Sequence, residues 1–107
     1  MDGPLRLVEH CALETYSVLT RLPAPHRAPP DLVRDFLAAR FRHPFLRLRG
    51  TAFREFLRRL PEHGISGGAS YDALVAATAA RHGADLVTCD RRAVPVYERY
   101  GIRVQLL

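Results

Sequence analysis

Short apolar segments alternate along this chain with longer segments of helical periodicity, and this alternation constrains the fold more than any other feature. Strands are predicted over four short segments, at residues 5–8, 45–49, 85–89 and 102–107. Apolar residues recur at helical spacing over five longer segments, at residues 9–22, 30–41, 51–62, 70–82 and 93–100. Thr51 is the expected N-cap of the third helix. Strands separated by helices need crossover connections, which favour a parallel sheet, so we predict one α/β domain over residues 1–107.

Length and composition exclude several classes of protein. A chain of 107 residues that is 48% apolar can bury a core, which argues against intrinsic disorder. No apolar stretch approaches the roughly 18 residues of a transmembrane helix, and the start of the chain has no signal-peptide pattern, so we expect a cytoplasmic protein. Cys11 and Cys89 lie in apolar runs and are expected to be buried thiols in a reducing compartment.

The charge balance favours a polyanionic partner. The net charge is +5 and all 16 basic residues are arginines, whose guanidinium groups can bind a phosphate through two hydrogen bonds. Arginine richness can equally reflect the base composition of the gene, and the composition alone leaves both explanations open.

Three of the 11 acidic residues share a position relative to the predicted elements. Glu14 lies in the early turns of the first helix, Asp72 in the first turn of the fourth helix, and Asp90 directly after the third strand. In a parallel sheet, the carboxyl ends of strands and the starts of the following helices lie at one edge, where ligands bind. The three carboxylates can therefore converge and bind a hard cation such as Mg²⁺. Such an ion near a phosphate would polarise it and activate water.

Purely structural explanations exist for Asp72 and Asp90, and neither of them applies in full to Glu14. Asp72 could only favour the positive end of a helix, and Asp90 could only close a turn. Glu14 lies one turn beyond His10 inside a helix, where a carboxylate would be costly to bury without a partner. The histidines show no metal-ligand spacing, and the glycines of residues 64–68 do not form a nucleotide-binding loop.

Three stretches of the chain resemble the PIN-domain ribonucleases, and specifically the VapC toxins of bacterial toxin–antitoxin pairs. They are residues 9–23, 67–79 and 84–92, and the resemblance covers essentially the whole chain. It implies a three-layer α/β/α PIN-like domain with a parallel sheet and Mg²⁺- or Mn²⁺-dependent endoribonuclease activity. By motif, Glu14, Asp72 and Asp90 match the last three of the family's four catalytic, metal-binding acids.

The start of the chain departs from the family pattern. The family begins with a strand that ends in its first Asp, whereas this chain begins at what resembles the second strand. Asp2 precedes the strand over residues 5–8 and is not assigned that role. We therefore expect an N-terminally truncated domain with a gap between strands 5–8 and 85–89. This gap would be closed if the gene product starts upstream, if a second chain supplies the strand, or if the strands of the sheet pair again with each other.

The leading functional hypothesis is the toxin of a VapBC-type pair, an endoribonuclease that hydrolyses RNA phosphodiester bonds. Arg91 and Arg92, next to the third strand, are the first candidates to hold the RNA backbone. The expected partners are the RNA substrate, a VapB-like antitoxin that blocks the site and a second copy of the chain, with no membrane partner. The alternatives are a catalytically impaired PIN remnant that only binds antitoxin or RNA, and a basic α/β binding module without metal.

Overall fold

The computed structural model describes residues 4–107, which divide into two compact units at the boundary between Arg47 and Leu48. The first unit contains helices α1 (Glu9–Thr20) and α2 (Pro30–Arg40). The second unit contains, in chain order, α3 (Gly50–Arg59), α4 (Ala69–Arg81), β1 (Leu86–Thr88), a 3₁₀ turn (Arg91–Ala93), α5 (Val94–Arg99) and β2 (Val104–Leu106). The α/β class is therefore confirmed, while the single domain over residues 1–107 stays a prediction.

In the first unit, one parallel bridge joins Val8 to Leu46. The Leu46 N–H donates to the carbonyl of Leu7 (2.9 Å), and the Glu9 N–H donates to the carbonyl of Leu46 (2.8 Å). The full strands predicted over 5–8 and 45–49 are wrong for two reasons. Helix α1 begins at Glu9 and turns the chain away, and Pro44 has no N–H with which to extend the ladder.

The core of the first unit lies where α1 and α2 meet the bridged residues. Its buried side chains come from every element of the unit and are Val8, Ala12, Val33, Leu37 and Leu46. The other side chains of α1 and α2 are exposed or half-buried, so the two helices pack through these few positions. This packing fixes α1, which carries Glu14.

In the second unit, β1 and β2 pair in parallel with the register Leu86↔Val104, Val87↔Gln105 and Thr88↔Leu106. Helix α5 lies in the connection between them, as the crossover argument predicted. Both strands are shorter than the predicted segments. Strand β1 ends at Thr88 because the chain turns at Asp90, whose N–H donates to the Thr88 hydroxyl (3.0 Å). The parallel strand pairing itself is confirmed.

Side chains of α3, α4 and α5 form the core of the second unit. Phe56, Ile65 and Ala73 form a buried cluster against which Leu60, Leu74 and other side chains pack. The buried face of α4 consists mostly of small residues, namely Ala73, Val75, Ala76, Thr78 and Ala79. This packing holds the start of α4, where Asp72 lies.

Several local predictions need correction. Helix α3 begins at Gly50, with Arg49 as its N-cap and no side-chain capping bond, so the Thr51 cap is wrong. Gly50 adopts a φ of +51°, a left-handed conformation that glycine tolerates best. The chain therefore turns into α3 at Gly50, and the N-cap lies at Arg49, two residues before Thr51. Cys11 is half-buried, but Cys89 is exposed, because it follows the last paired residue of β1. The prediction of two buried thiols is thus wrong for Cys89.

Two further expectations concern the ends and surface of the chain. Between residues 4 and 107, no helix has the length and apolar character needed to cross a membrane. The assignment of no catalytic role to Asp2 lies outside the described residues.

Candidate functional site

Glu14 lies on α1 with its side chain 63% exposed to solvent. Its carboxylate Oε2 lies 3.1 Å from Nε2 of His10, one helical turn earlier on the same face. A carboxylate buried at this position without a partner would cost free energy. That cost does not arise, because the Glu14 side chain reaches solvent. Glu14 is therefore accessible to a cation while one of its oxygens contacts the histidine ring.

Asp72 lies in the first turn of α4 and is half-buried. The helix follows Gly67, whose φ of +60° turns the chain into it, and Gly68 occupies the N-cap without a side-chain bond. The next residue, Ala73, is completely buried. The backbone of Asp72 is therefore held by the core, and its carboxylate lies at the positive end of the helix.

Asp90 follows β1 and closes the turn that comes after it. Its Oδ1 accepts a hydrogen bond from the backbone N–H of Arg92 (3.0 Å), and its own N–H donates to Thr88. The turn-closing role considered from sequence is therefore present. A carboxylate offers about four acceptor positions, and this side chain is 48% exposed, so it keeps free capacity for a cation.

Arg91 and Arg92 belong to the 3₁₀ turn that Asp90 caps. The Arg92 side chain is 93% exposed, with its Nε 3.6 Å from Asp90 Oδ1. Arg91 borders a groove of about 320 Å³, formed with residues of α5 and β2 that include Pro95, Glu98 and Val104. Both guanidinium groups can therefore reach a ligand from solvent without breaking a buried contact.

The structure brings Asp90, Arg91 and Arg92 together at one turn, and it places Asp72 in the same unit and Glu14 in the first unit. Across residues 4–107, no group of three or more His, Cys, Asp or Glu side chains is close enough to hold a metal ion. Convergence of the three acids therefore stays a prediction. Their chemistry fits a hard cation, since all three supply carboxylate oxygens and none is fully buried.

Two contacts of these acids were missed in the sequence. His10 contacts Glu14, and the spacing of four residues on one helix is the signal that could have identified it. The Thr88 hydroxyl accepts the Asp90 N–H, a local bond that threonine commonly forms at turns.

The chain is similar in sequence to several known proteins. The family model of the PIN domain matches residues 2–99. The chain is 48% identical over 107 residues to "Ribonuclease VapC40" of Mycobacterium tuberculosis, an alignment that covers 100% of this chain and 80% of that protein. It is also 48% identical over 98 residues to "Ribonuclease VapC27" of the same species, which covers 92% of this chain and 71% of the relative. No solved structure matches significantly. The chain therefore belongs to the PIN-domain family and to its VapC-type members.

Proposed function

We propose that this chain is an RNA-hydrolysing endoribonuclease that depends on a divalent metal ion and acts in the cytoplasm as the toxin of a toxin–antitoxin pair. The observation that carries the proposal is 48% identity over the full chain to a relative named as a ribonuclease. The proposed partners are the RNA substrate, a VapB-like antitoxin that blocks the acids, and a second copy in a homodimer.

Glu14, Asp72 and Asp90 would hold the ion, Mg²⁺ or Mn²⁺. Carboxylate oxygens are the donors that both cations accept. A bound divalent ion would supply positive charge that stabilises the charge developing on the phosphate. The role of the three side chains is to bind and orient it, and the solvent exposure of Glu14 and Asp90 leaves their oxygens accessible.

Arg91 and Arg92 would bind the RNA backbone. Guanidinium groups form strong, charge-assisted hydrogen bonds with phosphate oxygens, and contacts of this kind position the nucleic acid without reading its sequence. The capping bond from the Arg92 N–H to Asp90 joins Arg92 to a proposed metal ligand, and Arg91 is the neighbouring residue in the same turn. A phosphate bound by these arginines would therefore lie beside Asp90.

A thermal melt with and without Mn²⁺ tests the metal site directly. Mn²⁺ should raise the melting temperature, because a ligand at 100 times its Kd that binds only the folded state adds about 2.7 kcal/mol of stability. The shift should disappear in Asp72→Asn, which retains the shape of the side chain but loses its charge. An equal shift in both proteins would show that the ion binds elsewhere.

Replacing Arg91 and Arg92 together by Ala should weaken RNA binding and flatten its dependence on salt. Each lost phosphate contact reduces the slope of log K against log salt concentration by about 0.7 for a single strand. The measurement is fluorescence anisotropy of a labelled RNA over a range of salt concentrations.

Arg58→Ala controls for the loss of a surface arginine outside the proposed RNA contact. The Arg58 guanidinium is paired with Glu55 (2.6 Å) and Glu62 (3.5 Å), and its hydrogen bond lowers the pKa of the Glu55 carboxyl. Because its charge is already balanced, its removal should leave the slope nearly unchanged. Identical slopes for the double variant and the wild type would contradict the assignment of Arg91 and Arg92.

A further inference from the structure

His10 and Glu14 lie on one face of α1 but in different surroundings. The His10 side chain is 26% exposed, whereas Glu14 is 63% exposed. The Nε2 atom of His10 is itself buried and lies 3.1 Å from Glu14 Oε2, within ion-pair distance but outside hydrogen-bond geometry. The imidazole ring is therefore held by the packing of the first unit, and it presents a fixed polar atom to a carboxylate that packing does not hold.

Other charged groups near the start of α1 are engaged elsewhere. Glu9 faces Arg47, with 3.8 Å between Oε2 and the guanidinium nitrogen. Across the described residues, His10 is the one basic side chain within ion-pair distance of Glu14. The orientation of the Glu14 carboxylate thus depends on His10 and not on an arginine.

We propose that His10 is a positioning residue, which holds the Glu14 carboxylate in one orientation for the divalent ion. The inference rests on the proposed metal-dependent function. An exposed glutamate samples several rotamers, and fixing it beforehand lowers the entropy lost when a ligand binds. The contact uses Oε2 and leaves Oε1 for the cation. Partners of metal ligands act in this way in many metal sites.

Isothermal titration of the purified chain with Mn²⁺ tests the role in two variants of His10. His10→Leu should raise the Kd on the order of tenfold, the lower end of what loss of such a partner costs. His10→Gln should keep most of the affinity, because its amide nitrogen can occupy the position of Nε2 and donate to Glu14. Melting curves without metal establish that both variants are folded, and rescue by Gln separates positioning from a packing role.

A double-mutant cycle with Glu14→Gln completes the experiment. If His10 acts through Glu14, His10→Leu should not raise the Kd further in the Glu14→Gln background. Additive increases in Kd from the two substitutions would overturn the role of His10. A wild-type Kd in His10→Leu, together with weaker binding in Glu14→Gln, would also overturn it. Both results would leave the proposed metal site intact. Unchanged affinity for Mn²⁺ in Glu14→Gln would instead refute Glu14 as a metal ligand. It would also refute the role of His10 in positioning Glu14.

Discussion

Asp72→Asn should abolish metal-dependent RNA cleavage while leaving the chain folded. The substitution keeps the shape of the side chain but removes the charge that would bind the cation. Activity should fall by about 10²-fold or more, the size of effect seen when one preorganised electrostatic contact to a transition state is lost. Stability should change by only about 0.3–1 kcal/mol, since Asp72 also favours the positive end of α4. Glu14→Gln should reduce activity in the same way.

Asp31→Asn is the matched control for this experiment. Asp31 lies in the first turn of α2 and is exposed, so the same substitution removes a comparable charge from a comparable position in a helix. Cleavage of a labelled RNA by purified, nuclease-free protein with Mn²⁺ should be normal for Asp31→Asn. Cleavage at the wild-type rate by Asp72→Asn would refute the assignment of this acid.

Phe56→Ala should destabilise the chain by about 3–5 kcal/mol, the usual cost of truncating a buried aromatic ring. Phe56 is 8% exposed and packs with Ile65 and Ala73. Its loss would leave a cavity between α3 and α4. Because whole domains are stable by only about 5–15 kcal/mol, a large share of the protein should be unfolded under mild denaturing conditions, which urea titration followed by circular dichroism would measure.

Phe53→Ala controls for the loss of an aromatic ring from the same helix. Phe53 is 38% exposed, and its ring centroid lies 5.8 Å from that of Phe56. Much of this ring already contacts water, so its removal should cost well under half as much as that of Phe56. Equal losses of stability in the two variants would show that the cluster around Phe56 is not the centre of the core.

The elements that the sequence predicted well are those with a long periodic pattern and clear ends. Helix α4 is one example, because its small apolar residues repeat over several turns and Gly83 follows it. The segments around Val8 and Leu46 failed because a few apolar residues cannot reveal how long a ladder extends. The length of the ladder depends on where Pro44 interrupts hydrogen bonding and on where α1 begins. Neither can be deduced from one of the two segments alone.

Some features of the candidate site could likewise be predicted from the sequence, and others could not. The positions of Asp72 and Asp90 follow from local order along the chain, since one begins a helix and the other ends a strand. The contact between His10 and Glu14 depends on side-chain rotamers and on how deeply the ring is buried. Exposure of Cys89 likewise depends on where the pairing of β1 ends, which an apolar run of residues does not specify.

The alanine-rich face of α4 has a consequence for the acid at its start. Alanine has no side-chain rotamers, so the contacts of Ala73, Ala76 and Ala79, which are at most 1% exposed, are made almost entirely by the helix backbone and its Cβ atoms. Such a face cannot adjust by exchanging one side-chain conformation for another. Any displacement of Asp72 along or around the helix axis must therefore move the whole helix. The packing of α4 thus fixes the position of the Asp72 backbone.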